Sequence, residues 1–294
     1  MSDSSAPKPA AWKSFARGSL AAMAGAAVSH PLDLLKVRLQ VQSAGDAPLG
    51  MLGMTKHIIA ADGPKGMYTG MSATLLRQFF YTGTRFGVYE GVRDRLHTEP
   101  GNVPVWVKAV AGVVGGGCGA VVGQPAELSL VRMQADSKLP PAERRNYKNV
   151  IDALRRIVGE EGATTLYRGC VPTVTRACIV TTCQLGAYDQ CKELLMGVGI
   201  FKEGSALHFS ASLLAGFIAS VASNPIDVIK TRIMNQKPGP DGQLPYSGQV
   251  QCFSKTVSAE GFTALYKGFV PTFTRQAPYV ITLMLTAEQL KKIL

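Results

Sequence analysis

Three short stretches, each closing a long apolar segment, constrain this chain more than any other feature. The first runs Pro31, Leu32, Asp33, with Lys36 and Arg38 behind it. The second runs Pro125, Ala126, Glu127, with Leu130 and Arg132, and the third Pro225, Ile226, Asp227, with Lys230 and Arg232. A single proline two residues ahead of an acid is an ordinary helix start with a charged first turn. Three copies, with prolines 94 and then 100 residues apart in a chain of 294, mean a threefold internal repeat.

The segments ahead of each proline are built for close packing in lipid. Counting back 13 and 6 residues from the prolines gives Gly18 and Gly25, then Gly112 and Gly119, then Ser212 and Ala219. Small residues at repeated helical positions let helices approach where hydrophobic burial cannot drive association. The composition agrees: 46% hydrophobic, only 17% charged, with 31 glycines. No 20-residue run is wholly apolar, so the spans must carry polar groups for a reason. The net charge of +11 is spread over all three repeats, which argues against nucleic acid as a partner. Six cysteines without CxxC or zinc spacing read as free thiols acting as small hydrophobes. The polar N-terminus, Met1 to Ala11, has neither a secretory core nor an Arg-rich transit pattern, so targeting information must be internal.

Two more markers repeat in order. Asp62-Gly63 with Gly70, Glu161-Gly162 with Gly169, and Glu260-Gly261 with Gly268 follow short stretches that read as amphipathic surface helices, and their acids stand 99 residues apart. A second apolar segment follows in each repeat, about Ser72 to Leu96, Pro172 to Met196 and Pro271 to Leu294. Each ends in an acid with a base three residues on: Glu90 and Arg93, Asp189 and Lys192, Glu288 and Lys291. The expectation is an all-α membrane protein, one domain over residues 1–294, with six spans in repeats of about 12–100, 101–199 and 200–294.

The middle of the even spans carries the chemistry. Arg77, Arg176 and Arg275 are 99 residues apart and each lies 13 residues before its span's acid, about 20 Å along a helix. A charge at that depth costs roughly 2.5–3.5 kcal/mol on insertion scales, so a threefold set needs a purpose. One turn on stand Tyr81, Val180 and Tyr279, and two turns on Arg85, Gln184 and Leu283. No Asp or Glu occurs within these stretches of the even spans, so the arginines are expected to form a ring without carboxylate partners. Such a ring in a wet cavity suits a dicarboxylate, since the guanidinium fork matches a carboxylate bidentately. Three guanidiniums pointing outward to lipid, or each locked to a protein carboxylate, would overturn the transport reading itself. Enzyme chemistry is not indicated: Gly115 to Gly119 lacks the GK[ST] of a phosphate loop, and the four histidines form no metal pattern, so neither catalytic residues, metal nor cofactor is expected.

With nine markers in the right order, the chain resembles the mitochondrial carrier family over essentially everything after its first ten residues. The resemblance implies a six-helix barrel with pseudo-threefold symmetry and short matrix-side amphipathic helices, in the inner membrane, multi-pass, with both termini toward the intermembrane space. It implies a monomer that moves small dicarboxylates and contacts membrane lipids, cardiolipin among them. Arg77, Tyr81, Arg85, Arg176, Gln184 and Arg275, together with Leu130, match the pattern of that family's 2-oxoglutarate/malate branch, while Gln276 and Tyr279 depart from it. The implied activity is exchange of 2-oxoglutarate for malate or related dicarboxylates by alternating access. A matrix gate would pair Glu127 with Lys230 and Asp227 with Lys36, braced by Gln40 and Gln134, and leave Asp33 facing Leu130. A cytoplasmic gate would pair Glu90 with Lys192, Asp189 with Lys291 and Glu288 with Arg93. The alternatives are an uncoupling-type proton or anion carrier and a non-transporting scaffold on the same fold.

Overall fold

The computed structural model describes residues 11–41, 49–97, 103–136, 144–197, 204–236 and 244–293. Residues 1–10, most of the N-terminal segment discussed above, lie outside them. Each repeat is a long odd helix, a short helix and a long even helix. These are α1 (Ala11–Gln40), α2 (Met51–Asp62) and α3 (Met71–Leu96), then α4 (Val105–Ala135), α5 (Val150–Glu161) and α6 (Cys170–Gly197). The third repeat is α7 (Ser205–Asn235), α8 (Gln249–Glu260), α9 (Phe269–Thr274) and α10 (Gln276–Ile293). No strand occurs among the described residues.

The long helices close into a ring in the order α1, α3, α4, α6, α7, α9 with α10, and back to α1. The odd helices also touch one another, which draws the ring shut at the end that carries the three prolines. Pro31, Pro125 and Pro225 all sit inside helices, each removing a backbone hydrogen bond where its helix leans inward. A helix of 30 residues, such as α1, is about 45 Å long, more than the hydrocarbon thickness. Among the described residues, Val105–Ala135 and Ser210–Asn235 alone are apolar enough to read as spans by hydropathy. The even helices fall short because their polar groups face the ring's interior.

Glycine sets the spacing of the ring. A Cβ at Gly119 would stand 2.7 Å from the carbonyl oxygen of Tyr81 on α3, and one at Gly25 would stand 2.9 Å from that of Tyr279 on α10. These equivalent positions of two repeats each seat the preceding even helix backbone to backbone. Gly117 is different, since its Cβ would meet only Val174 at 3.9 Å. Gly119→Ala is therefore expected to lower stability by about 1–3 kcal/mol, while Gly117→Ala is neutral or slightly stabilising. Thermal unfolding in detergent reads both; equal midpoints would contradict the packing account.

The acid-glycine markers fold into one device three times over. Gly63, with φ of 71°, ends α2, a five-residue 3-10 turn follows, and Gly70, with φ of 86°, starts α3. Both conformations favour glycine, which explains the two glycines of each marker. The residue before each motif proline donates to a carbonyl of this connection. His30 Nε2 meets Thr69 O at 3.0 Å, Gln124 Nε2 meets Arg168 O at 2.8 Å and Asn224 Nδ2 meets Leu265 O at 2.8 Å.

The third even span runs on from Pro271 as the sequence reading had it. Arg275, between α9 and α10, keeps helical dihedrals, its N–H donates to Pro271 O at 3.2 Å and its carbonyl accepts from Tyr279 N at 3.2 Å. Pro278 removes one bond of this helix, because it cannot donate to Thr274 O.

Candidate functional site

Eight charged side chains meet in one layer where the ring narrows, around a cavity of about 100 Å³. Each arginine of an even helix reaches the acid of the following repeat. Arg77 Nη1 lies 3.4 Å from Glu127 Oε2, Arg275 Nη1 donates to Asp33 Oδ1 at 2.7 Å, and Arg176 Nε pairs with Asp227 Oδ1. Each lysine of an odd helix reaches the acid of the preceding repeat. Lys36 Nζ donates to Asp227 Oδ2 at 2.6 Å, and Lys230 Nζ to Glu127 Oε1 at 2.9 Å.

The expectation that the arginines stand without carboxylate partners is therefore wrong, and unpaired guanidiniums no longer support a transport reading. The carboxylates come from the odd helices, where Asp33, Glu127 and Asp227 stand two residues after each motif proline and reach the arginines. What survives is a count. Arg77, Arg176, Arg275, Lys36 and Lys230 share three carboxylates, so the layer keeps a surplus of two positive charges. Glu127 and Asp227 each hold a lysine and an arginine, whereas Asp33 holds Arg275 alone. Its missing lysine is Leu130, which packs with Ala73, Met133, Val150 and Ala153.

Neither glutamine braces a lysine bridge. Gln40 Oε1 lies 2.9 Å from Thr231 Oγ1, and the Nε2 atoms of Gln40 and Gln134 are buried without a hydrogen-bond partner among the described residues. Their neighbours are backbone and hydroxyl groups of the closed ring, which sequence spacing does not show.

Away from this layer the interior widens. A cavity of about 320 Å³ is lined by the three arginines, Tyr81, Arg85, Gln184 and Tyr279. It adjoins another of about 660 Å³, which also takes Arg85 and Gln184 in its wall and extends to Tyr89, Lys108 and Tyr188. Among the described residues neither cavity has an acidic lining residue. The Tyr81 ring sits 5.9 Å from the Arg77 guanidinium carbon, within cation–π range. Arg85 and Gln184 thus stand between the two cavities, a level above the charged layer.

At the far end Arg93 is held by its neighbour Asp94 at 2.8 Å, and among the described residues no ion pair links it to Glu288. The side chains of Asp189 and Lys291 lie outside the described residues.

The last basic residue of each motif has a role that the sequence reading passed over. Arg38 pairs with Asp62 at 3.2 Å, Arg132 donates from Nη2 to Glu161 Oε2 at 2.9 Å, and Arg232 donates to Glu260 through Nη1 at 2.6 Å. Each pair ties an odd helix to the short helix of its own repeat. The signal was present, because the acids repeat every 99 residues and the arginines sit seven after each proline. Hydrogen bonding from Arg232 holds the Glu260 carboxyl at about 2, with Lys267 adding to it against the opposing effect of burial. A carboxyl so depressed adds stability above its ordinary range and loses it as pH falls toward 2. The stability gap between the wild type and Glu260→Gln is accordingly expected to be full at pH 7 and to close between about pH 4.5 and 2. A gap that ignores pH in that window would contradict the pairing.

The whole chain matches the family described as mitochondrial carrier protein three times in succession, over residues 7–100, 101–199 and 202–294. It belongs to the mitochondrial carrier family. The carrier is 46% identical over 281 residues to the probable mitochondrial 2-oxoglutarate/malate carrier protein of Dictyostelium discoideum, with 95% of this chain and 88% of that one covered. It is 43% identical over 283 residues to the mitochondrial 2-oxoglutarate/malate carrier protein of Bos taurus, covering 95% and 90%. It is equally 43% identical over 304 residues to mitochondrial uncoupling protein 5 of Arabidopsis thaliana, covering 96% and 97%. Like other members, this carrier is an all-α protein of the inner mitochondrial membrane that transports small anions and is not an enzyme.

Proposed function

We propose that this carrier is an antiporter exchanging 2-oxoglutarate for malate or related dicarboxylates by alternating access. The observation that carries this reading is the surplus of two positive charges in the inner layer. A dianion supplies the two missing negative charges, and a monoanion supplies one. The planar forks of Arg77, Arg176 and Arg275 offer carboxylate-shaped contacts, and two relatives are named for the same substrates.

In this reading the charged layer is the matrix gate, shut here, and both termini face the intermembrane space. Substrate would enter from the far side and compete with Glu127, Asp227 and Asp33 for their arginines. Each acid that loses an arginine weakens the closure of the odd helices. The far-side acids and bases, Glu90, Arg93, Asp189, Lys192, Glu288 and Lys291, would then form the cytoplasmic gate as the matrix side opens. Because an empty layer recloses on its own carboxylates, passage in one direction calls for a counter-substrate in the other.

The names of several relatives favour a second reading, an uncoupling-type proton or anion carrier. Proteoliposomes separate the two. Uptake of labelled 2-oxoglutarate that depends on internal malate supports the antiporter, and proton conductance without dicarboxylate exchange supports the other. Failure of both leaves the scaffold.

A further inference from the structure

We infer that Tyr279, oriented by Gln78, is a specificity-determining residue that donates a hydrogen bond to the 2-oxo or 2-hydroxyl oxygen of the dicarboxylate. The inference rests on the dicarboxylate reading of the central site and assigns it a contact beyond the arginine–carboxylate pairs. Guanidiniums fit carboxylates best, and every dicarboxylate has those. A separate oriented donor beside them can read the substituent on the second carbon.

Tyr279 has the position for this task. It lines the same cavity as Arg77 and Arg275, one helical turn beyond Arg275 and so about 6 Å along α10. Its ring lies close against α1, where a Cβ at Gly25 would meet ring carbons at 3.1 and 3.2 Å. That close seat leaves the phenol little freedom to turn away. On α3, the side chain of Gln78 is buried, with 5% exposure, and its Nε2 donates to the Tyr279 hydroxyl oxygen at 3.3 Å.

The direction of that bond decides the proposal. An amide that donates to the phenol oxygen leaves the phenol's own proton to point elsewhere. Among the described residues the Tyr279 hydroxyl has no acceptor for it. The proton is therefore presented to the cavity, where a 2-oxo oxygen can accept it. Tyr81 and Val180 occupy the equivalent positions of the other repeats. Val180 has no donor, and among the described residues Tyr81 has no amide orienting its hydroxyl. Among these three equivalent positions Tyr279 alone has a donor oriented by an amide, which sets one side of the site apart for an unsymmetrical dicarboxylate.

A site with an oriented donor discriminates against an analogue that leaves it unpaired. The test compares 2-oxoglutarate with glutarate, which lacks only the 2-oxo oxygen, in proteoliposomes loaded with malate. In the wild type, kcat/KM is expected to favour 2-oxoglutarate. In Tyr279→Phe the ratio of the two values falls about tenfold, the worth of one such bond. Gln78→Leu, which keeps the phenol but frees its proton, gives an intermediate ratio and stands as the second arm should the first variant fold poorly. A ratio unchanged in both variants overturns the assignment, whether the two rates fall together or not at all, because a merely structural residue would move both alike. Wild-type exchange with no preference for 2-oxoglutarate overturns it too while leaving the dicarboxylate reading in place. A wild type that exchanges neither acid defeats that reading and this subsite with it.

Discussion

Arg77→Gln is expected to abolish dicarboxylate exchange, lowering it by on the order of 100-fold or more, while the protein still folds. The reasoning is in the sharing of charges. Glu127, which Arg77 touches at 3.4 Å, keeps Lys230 at 2.9 Å when Arg77 is gone, so no buried acid is stranded. The layer's surplus drops from two positive charges to one, and a dianion arrives to find half its partner missing. Arg275→Gln is expected to abolish exchange equally, with a larger cost in stability, because Asp33 has no other cation. The check is exchange in proteoliposomes alongside thermal unfolding in detergent. Exchange surviving in both variants would overturn the placement of the site in this layer.

Asp227→Asn is expected to produce the second large effect, on stability and coupling together. Asp227 is 2% exposed and holds both Lys36, at 2.6 Å, and Arg176. Removing its charge leaves two buried cations without an acid, a loss of about 3–5 kcal/mol and a fall in the unfolding midpoint of roughly 10 °C. Closure at this end also loses its most heavily shared group. Uptake should then cease to require internal counter-substrate, and the variant should leak. Asp33→Asn, which strands Arg275 only, should fall short of it on both counts. The reverse order would show that the number of cations sharing an acid does not govern closure.

How much of this could be read from the residues alone differs from element to element. The repeat, the spans and the short helices were legible because proline, glycine and paired charges mark helix ends through local physics, and three copies lift that signal above chance. The level of Arg77, Arg176 and Arg275 was legible for the same reason. Their partners were not. Spacing along an even helix says nothing of what a neighbouring odd helix brings to the same depth; Glu127 and Asp227 were assigned to lysines alone, and Asp33 to no cation at all. Gln78 was silent for a related reason: its meaning comes from Tyr279, 201 positions away.

The account turns on one exchange of partners, in which a dianion takes the arginines from the motif acids. A structure of the carrier with 2-oxoglutarate bound measures this directly. The account predicts a substrate carboxylate within hydrogen-bond distance of Arg275, with the 2.7 Å contact from Arg275 to Asp33 broken, and with Arg77 or Arg176 engaging the other carboxylate. Substrate bound elsewhere, with all three arginine–acid contacts intact, would contradict it.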